Sequence, residues 1–126
     1  MTDSELMLLD SSAWLLYFFR QSDRMRTLIE SDTVLLSSAV SLFEIKKRLL
    51  KGSYSRNEIA EALRFAKTRS MVIGVDAKTC EAAADISVKH NLAAVDSIIY
   101  ATGGICNAEL ITADSDFKNL QGVVMI

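Results

Sequence analysis

The stretch that decides the fold is "MLLDSSAWLLYFF", residues 7–19, in which one acid, Asp10, interrupts an otherwise apolar run. The apolar residues before Asp10 predict a short buried strand. Ser11 or Ser12 is a candidate cap for the helix that follows. Asp10 therefore lies at a strand–helix junction whose apolar neighbours predict burial. A buried anion needs protonation, a hydrogen-bonding partner or a cation.

The same alternation of strands and helices continues along the chain. Short apolar runs predict strands at residues 6–9, 34–36, 71–75, 110–112 and 123–126. Helical periodicity and capping signals predict helices at about 11–20, from 23, at 38–51, from 55, at 76–90 and at 94–102. The last of these is expected to stop at Gly103-Gly104. This order predicts an α/β fold with three layers, in which helices cover both faces of a mainly parallel sheet of about five strands.

Length and composition favour an ordinary globular domain. A chain of 126 residues is most simply one domain, spanning 1–126, and 50% apolar with 24% charged residues is typical of a soluble protein. The first five residues, Met-Thr-Asp-Ser-Glu, include two acids and no base, unlike a secretory signal. No apolar run is long enough to span a membrane, so a cytoplasmic location is expected. The net charge of −2 neither suggests nor excludes a nucleic-acid partner.

The two cysteines, Cys80 and Cys106, carry no metal-binding or disulfide signal. They lie far apart without a CxxC pair or a nearby histidine. Both are predicted to be small buried side chains, and Cys80 is expected to share the inward face of its helix with Ala83, Ala84 and Val88.

Four acids fall where the predicted sheet would bring them together. Asp10 and Asp114 follow predicted strands, and Glu44 and Asp96 lie near the starts of predicted helices. Parallel sheets bind ligands beyond the carboxyl ends of their strands. Taken singly, each acid also has an ordinary structural interpretation as a helix cap, a turn residue or, for Glu44 with Arg48, a surface ion pair.

A cluster of carboxylates has a chemical consequence. Two like charges 4 Å apart repel by about 4 kcal/mol at an effective dielectric constant near 20. Protonation or a cation must relieve that repulsion, and ligands made of oxygen alone suit one or two Mg²⁺ or Mn²⁺ ions.

Four short motifs, in order, resemble those of the PIN-domain ribonucleases, and within them the VapC-like toxins of toxin–antitoxin pairs. "LLDSSAWL" is similar to the opening motif and places its acid at Asp10. "SLFEIKKRL", "LAAVDSIIYATG" and "LITADSDF" are similar to the next three, whose acids fall on Glu44, Asp96 and Asp114, with a further acid at Asp116. The resemblance covers nearly the whole chain.

The resemblance implies metal-dependent endonucleolytic cleavage of RNA that leaves 5′-phosphate and 3′-hydroxyl ends. Asp10, Asp96 and Asp114 would hold Mg²⁺ or Mn²⁺, with Glu44 and Asp116 assisting. The hydroxyl groups of Ser12 and Thr112 would orient a carboxylate, a water or the phosphate. The resemblance further implies a protein antitoxin as partner and a homodimer.

Two further surfaces are candidates to bind a partner, and each also has an ordinary structural interpretation. Lys47, Arg48 and Lys51 lie on the same side of a helix as Glu44 and are candidates to bind RNA, although a solvated charged face fits them equally. The helix at 13–19 is apolar around its circumference, which fits either core packing or a groove for the antitoxin.

The rival functions are a catalytically silent PIN-fold module that binds RNA or protein, and an RNA-processing nuclease outside toxin–antitoxin systems. His90 is interpreted as a surface residue at a helix end. A serine hydrolase is not supported, because no G-x-S-x-G pattern occurs.

Overall fold

Parallel strands form the centre of the molecule. The computed structural model describes residues 6–126, so the acidic start at residues 1–5 lies outside the described residues. The strands are β1 (Met7–Leu9), β2 (Leu35–Ser38), β3 (Met71–Ile73), β4 (Glu109–Thr112) and β5 (Val123–Met125). The helices are α1 (Ser11–Phe18), α2 (Asp23–Ile29), α3 (Ala39–Leu50), α4 (Arg56–Arg69), α5 (Ala77–His90) and α6 (Ala94–Ile105), with a short 3₁₀ helix at Ser115–Phe117.

The strands form one sheet in the order β3-β2-β1-β4-β5, and every pairing is parallel. Consecutive residues of a strand point to opposite faces, so each apolar run supplies both sides of the sheet. Leu9 and Ile111 pack in a core with the helices α1 to α4, whereas Leu8, Leu36 and Leu110 pack in a second core with α5 and α6. The predicted three-layer α/β/α fold is confirmed.

The strand order creates a crevice beside β1. From β1 the chain moves outward to β2 and β3, then returns to the other side of β1 to form β4 and β5. Connections therefore leave the carboxyl ends of β1 and β4 in opposite directions. That topological switch point is where open α/β sheets bind their ligands.

The inward face of α5 differs from the predicted one. Ala83 is buried as expected, but Cys80 is exposed and Val88 is 87% exposed. Asp76 caps the helix and accepts hydrogen bonds from both the backbone N–H and the hydroxyl of Thr79, which turns Thr79 inward. Because alanines lie on several faces of α5, the sequence periodicity does not distinguish the predicted orientation of this helix from the observed one.

The Gly103-Gly104 pair does not end α6, which continues to Ile105. Gly103 is buried, and a Cβ atom there would lie 3.5 Å from the carbonyl oxygen of Ala108 and 3.6 Å from Cδ2 of Leu8. Both distances are ordinary van der Waals contacts, so the packing of the last helical turn would also accept an alanine at this position. The prediction that Cys106, which follows this turn, is buried was also too strong, because the residue is partly exposed.

Arg69 fastens the loop between α2 and β2. Its guanidinium donates hydrogen bonds to the carbonyl oxygens of Ile29 (2.6 Å), Ser31 (3.0 Å) and Thr33 (2.8 Å). We expect Arg69→Ala to lower the free energy of unfolding by about 2–3 kcal/mol, because charged donors to carbonyl groups are strong. Urea unfolding measures this loss.

The matched control for this prediction is Arg64→Ala, which removes an exposed arginine of the same helix that pairs with Glu61. It should change the free energy of unfolding by less than about 0.5 kcal/mol. Equal losses in the two variants would contradict the role given to Arg69.

Among the described helices, none combines the length and the apolar character required to cross a membrane.

Candidate active site

Asp10 lies directly after β1 and is only 3% exposed. Its Oδ1 atom accepts hydrogen bonds from the backbone N–H of Ala13 (3.0 Å) and the hydroxyl of Ser12 (2.6 Å), and its Oδ2 atom accepts one from the hydroxyl of Thr112. Asp10 is therefore the cap of α1, so the prediction that Ser11 or Ser12 caps this helix is wrong. Asp10 thus caps α1 and also places its carboxylate at the carboxyl edge of the sheet.

The hydroxyl groups of Ser12 and Thr112 join the ends of β1 and β4. Ser12 Oγ accepts a hydrogen bond from the N–H of Ala113 (2.9 Å), and Thr112 Oγ1 accepts one from the N–H of Asp114 (2.9 Å). The two hydroxyl oxygens lie 3.3 Å apart. Both side chains thus hold the Asp10 carboxylate and the backbone of the neighbouring strand in one hydrogen-bonded unit.

Three further acids meet beside this unit. One carboxylate oxygen each from Asp96, Asp114 and Asp116 lies within 4.8 Å of the others. Asp114 also accepts a hydrogen bond from the N–H of Asp116 (2.9 Å) and caps the 3₁₀ helix. Asp96 lies in the first turn of α6, but the capping position is Ala93, so the interpretation of Asp96 as a cap is wrong.

Glu44 approaches the same edge from α3 and is partly buried. Ser11 donates a hydrogen bond to its Oε1 atom (2.9 Å). The cap of α3 is Ser38, so Glu44 is not a capping residue of this helix. The Ser41 hydroxyl is buried without a hydrogen-bond partner in the described part of the chain. Within residues 6–126 Glu44 forms no ion pair with Arg48.

Ser11 is the site residue that sequence reasoning missed, because it was weighed only as a cap. Its position next to Asp10 was the available signal. The first turn of α1 starts at the carboxyl edge of the sheet, so a polar side chain there can reach an acid that arrives from another helix.

Burial and repulsion from neighbouring carboxylates raise the pKa of three acids of the site. Burial raises the pKa of Asp10, and the hydrogen bonds from Ser12 and Thr112 partly oppose it. Burial, followed by the negative charges of Asp114, Glu44, Asp116 and Asp10, raises the pKa of Asp96 to about 6. Burial likewise raises the pKa of Glu44, with smaller contributions from Asp10 and Asp114. The five acids therefore act on one another electrostatically.

The residues present fit a hard divalent cation. The cluster of Asp96, Asp114 and Asp116 offers only carboxylate oxygens, the ligands that Mg²⁺ and Mn²⁺ prefer. A dication would also offset the repulsion from neighbouring carboxylates, which adds to the effect of burial on the pKa of Asp96. Asp10 and Asp96 lie at or near helix N-termini, where the helix dipole favours negative charge.

The basic residues near Glu44 point in different directions. The ammonium of Lys47 lies 5.7 Å from the centroid of the Phe43 ring, whereas the guanidinium of Arg48 lies 5.4 Å from that of Phe19. Lys51 is exposed at the end of α3. RNA binding by these three residues stays a prediction.

His90 lies on the surface at a helix end, as expected. It is the exposed last residue of α5, and its ring makes an edge contact with Tyr100 at 6.3 Å between centroids.

Solved structures similar to this chain include toxins of toxin–antitoxin systems. A toxin–antitoxin complex from Klebsiella pneumoniae matches with a TM-score of 0.78 and 21% identity, over 94% of this chain and 96% of that one. VapBC2 from Rickettsia felis, bound to a promoter DNA fragment, matches with a TM-score of 0.78 and 16% identity, over 96% and 97%. VapC20 from Mycobacterium tuberculosis, a toxin that cleaves the sarcin–ricin loop, matches with a TM-score of 0.73 and 22% identity, over 91% and 95%.

At these identities the structural matches show the shared fold. No curated protein sequence matches this chain significantly. The model of one family, described as the PIN domain, matches residues 7–123. That match covers nearly the whole chain and includes every acid of the cluster at the carboxyl edge of the sheet, and the chain therefore belongs to the PIN domain family.

Proposed function

We propose that this chain is an Mg²⁺- or Mn²⁺-dependent endoribonuclease and the toxin of a toxin–antitoxin pair. The observation that carries the proposal is the meeting of Asp96, Asp114 and Asp116 within 4.8 Å at the carboxyl edge of the sheet, electrostatically coupled to the buried Asp10. Membership of the PIN family and the toxin folds among the structural matches support the same conclusion.

Asp10, Asp96 and Asp114 would hold the metal, and Asp116 would hold it directly or through water. When bound, such a cation supplies Lewis acidity at the phosphate and lowers the pKa of a water molecule. Ser12 and Thr112 donate hydrogen bonds to Asp10 and keep its carboxylate in one orientation. This fixed geometry reduces the reorganisation needed when RNA binds.

Glu44 is suited to accept a proton from the attacking water. Ser11 already donates to Oε1, so Oε2 is the oxygen available for that proton. Burial raises the pKa of Glu44, which makes it a better proton acceptor than an ordinary surface glutamate. Attack of water on phosphorus with departure of the 3′ oxygen leaves a 5′-phosphate and a 3′-hydroxyl, as the family resemblance implies.

An aromatic groove supports a protein partner. Five rings, those of Tyr17, Phe18, Phe19, Tyr54 and Phe65, line a groove of about 550 Å³ between α1 and the hairpin of α3 and α4. Exposed aromatic surface of this kind is typical of protein interfaces. We propose that the antitoxin binds in this aromatic groove. Homodimerisation, which the resemblance also implies, stays a prediction.

Cleavage of a panel of structured RNAs tests the proposed activity. The purified chain should cut at least one RNA with Mn²⁺ or Mg²⁺ and none with EDTA, and the products should carry 5′-phosphates. Intact RNA under every metal condition would favour the alternative of a PIN-fold binding module. Cleavage that is equal with EDTA would exclude the proposed chemistry.

The raised pKa of Asp96 predicts a stability that depends on pH. Its ordinary pKa is 3.8 and its folded pKa is about 6, so the folded protein favours the protonated form. The stabilisation is complete below pH 3.8 and is lost as the pH rises through 6. Without metal, the free energy of unfolding should therefore fall between pH 4.5 and 7 by about 1–2 kcal/mol, a value reduced for partial solvent exposure.

Urea unfolding in EDTA across this range measures the effect, and Asp96→Asn is the comparison. The variant lacks the titrating group. The difference between the free energies of unfolding of the wild type and the variant should therefore be small at low pH and grow toward neutral pH. Parallel curves for the wild type and the variant would contradict the assignment.

A further inference from the structure

The charges of α4 are divided between two sides of the helix. At 100° per residue, Arg56, Arg64 and Lys67 fall within about a 100° arc. The acidic residues Glu58 and Glu61 lie on the other exposed side, where both line the aromatic groove. Helix α4 therefore separates two grooves of different chemistry.

The second groove, here called the basic groove, lies between α3 and α4 and has a volume of about 600 Å³. Lys46 joins the three cations of α4 along its rim. Its floor is aliphatic, formed by the buried Ile59, the partly buried Leu63 and Leu50, which is 61% exposed. Leu50 thus places exposed apolar surface between the cations.

Three of the four cations of the basic groove have no ion-pair partner in the described part of the chain. No acid is among the residues that line it in the described part of the chain. Arg64 pairs with Glu61 on the solvent side, but Lys46, Arg56 and Lys67 form no ion pair within residues 6–126. A chain with a net charge of −2 thus gathers four positive charges around one apolar floor.

We infer that the basic groove binds an acidic amphipathic segment of a partner protein. Charge complementarity requires an anionic occupant, and the aliphatic floor requires that the occupant carry apolar side chains. Nucleic acid fits less well, because single strands stack on aromatic rings and no aromatic residue lines this groove in the region described. A helix with carboxylates on its flanks and leucines on one face satisfies both demands.

This inference goes beyond the proposed nuclease function and does not depend on it. It assigns a second docking surface, on the opposite side of α4 from the aromatic groove and with the opposite charge. Long-range attraction would speed association, and the leucine contacts would slow dissociation.

Fluorescence anisotropy with defined peptides tests the inference. The probe is a labelled 18-residue helical peptide with leucines at i, i+3, i+4 and i+7 spacing and glutamates at most other positions. The double variant Arg56→Glu/Lys67→Glu should bind the probe at least about tenfold more weakly than the wild type. The matched control Arg24→Glu/Arg26→Glu reverses two exposed cations of α2, outside the groove, and should change affinity by less than about twofold.

Two further probes separate the alternatives. Oligoglutamate without leucines should bind more weakly than the probe, and Leu50→Ser should weaken the probe while leaving oligoglutamate unchanged. A circular dichroism spectrum and a melting temperature equal to those of the wild type establish that each groove variant is folded. Should a charge-reversal variant not fold, Arg56→Ala/Lys67→Ala replaces it, with an expected loss of about threefold or more.

Three results would overturn the inference. Equal weakening by the α2 and groove variants would show only general attraction between opposite charges. Weaker binding of single-stranded RNA by the groove variant, with peptide binding unchanged, would assign the groove to nucleic acid. A lower molar mass for the groove variant than for the wild type in light scattering would assign the groove to a contact between two copies of this chain.

Discussion

Asp10→Asn is expected to lower RNA cleavage by roughly a thousandfold or more, because it removes a negative charge from the proposed metal site. A loss of about 4 kcal/mol in transition-state stabilisation corresponds to that factor. The substitution keeps the shape of the side chain, whose remaining oxygen can still accept from Ser12 and Ala13. Single-turnover cleavage with Mn²⁺ measures the effect.

Folding of the Asp10 variant is not expected to fail. Burial raises the pKa of this carboxyl, so the neutral amide avoids the cost of a buried charge. Its metal-free melting temperature should therefore be equal to or above that of the wild type. Activity within tenfold of the wild type, with contaminating ribonuclease excluded, would remove Asp10 from the mechanism.

Mn²⁺ is expected to raise the melting temperature of the wild type by roughly 8–11 °C at a hundredfold excess over its dissociation constant. Binding to the folded state alone contributes about 2.7 kcal/mol under that condition, and each kcal/mol corresponds to about 3–4 °C for a chain of this size. Asp96→Asn and Asp114→Asn should each lose more than half of this shift. Differential scanning fluorimetry at pH 7.5 measures it.

The matched control is Asp85→Asn, an exposed acid of α5 outside the cluster. It should retain the full Mn²⁺ shift. If all three variants keep that shift, the ion binds elsewhere, and the cluster of Asp96, Asp114 and Asp116 would need another explanation.

The strand layout and the convergence of the acids followed from simple rules. Brief apolar runs predicted every strand to within two residues, because strands buried on both faces carry no polar alternation. Asp10 and Asp114 follow β1 and β4, which are neighbours in the sheet. Parallel strands place their carboxyl ends at one edge, so the two acids could be expected to approach each other.

Other features depend on packing that one sequence does not encode locally. The predicted orientation of α5 was wrong because alanines are spread around the helix. The buried side chain of Thr79 is held by its hydrogen bonds to Asp76. The hydrogen bond from Ser11 to Glu44 joins residues 33 positions apart and depends on how α1 lies against α3. Capping rules also misplaced Asp96, because α6 starts at Ala94 without a side-chain cap.

The positions of charged side chains on the surface were the feature that the sequence predicted least well. Sequence spacing placed Lys47 and Arg48 on one helix face, yet the rings of Phe43 and Phe19 draw their charges apart. The basic groove depends on pairing α3 with α4, and neither helix shows it alone. Such surfaces follow from tertiary packing.

The location of bound Mn²⁺ tests the central claim most directly. In a crystal of the wild-type chain soaked with Mn²⁺, anomalous diffraction should show one or two peaks about 2.0–2.3 Å from carboxylate oxygens of Asp96 and Asp114, beside Asp10. No peak at this edge of the sheet in a crystal of protein that cleaves RNA with Mn²⁺ would contradict the claim.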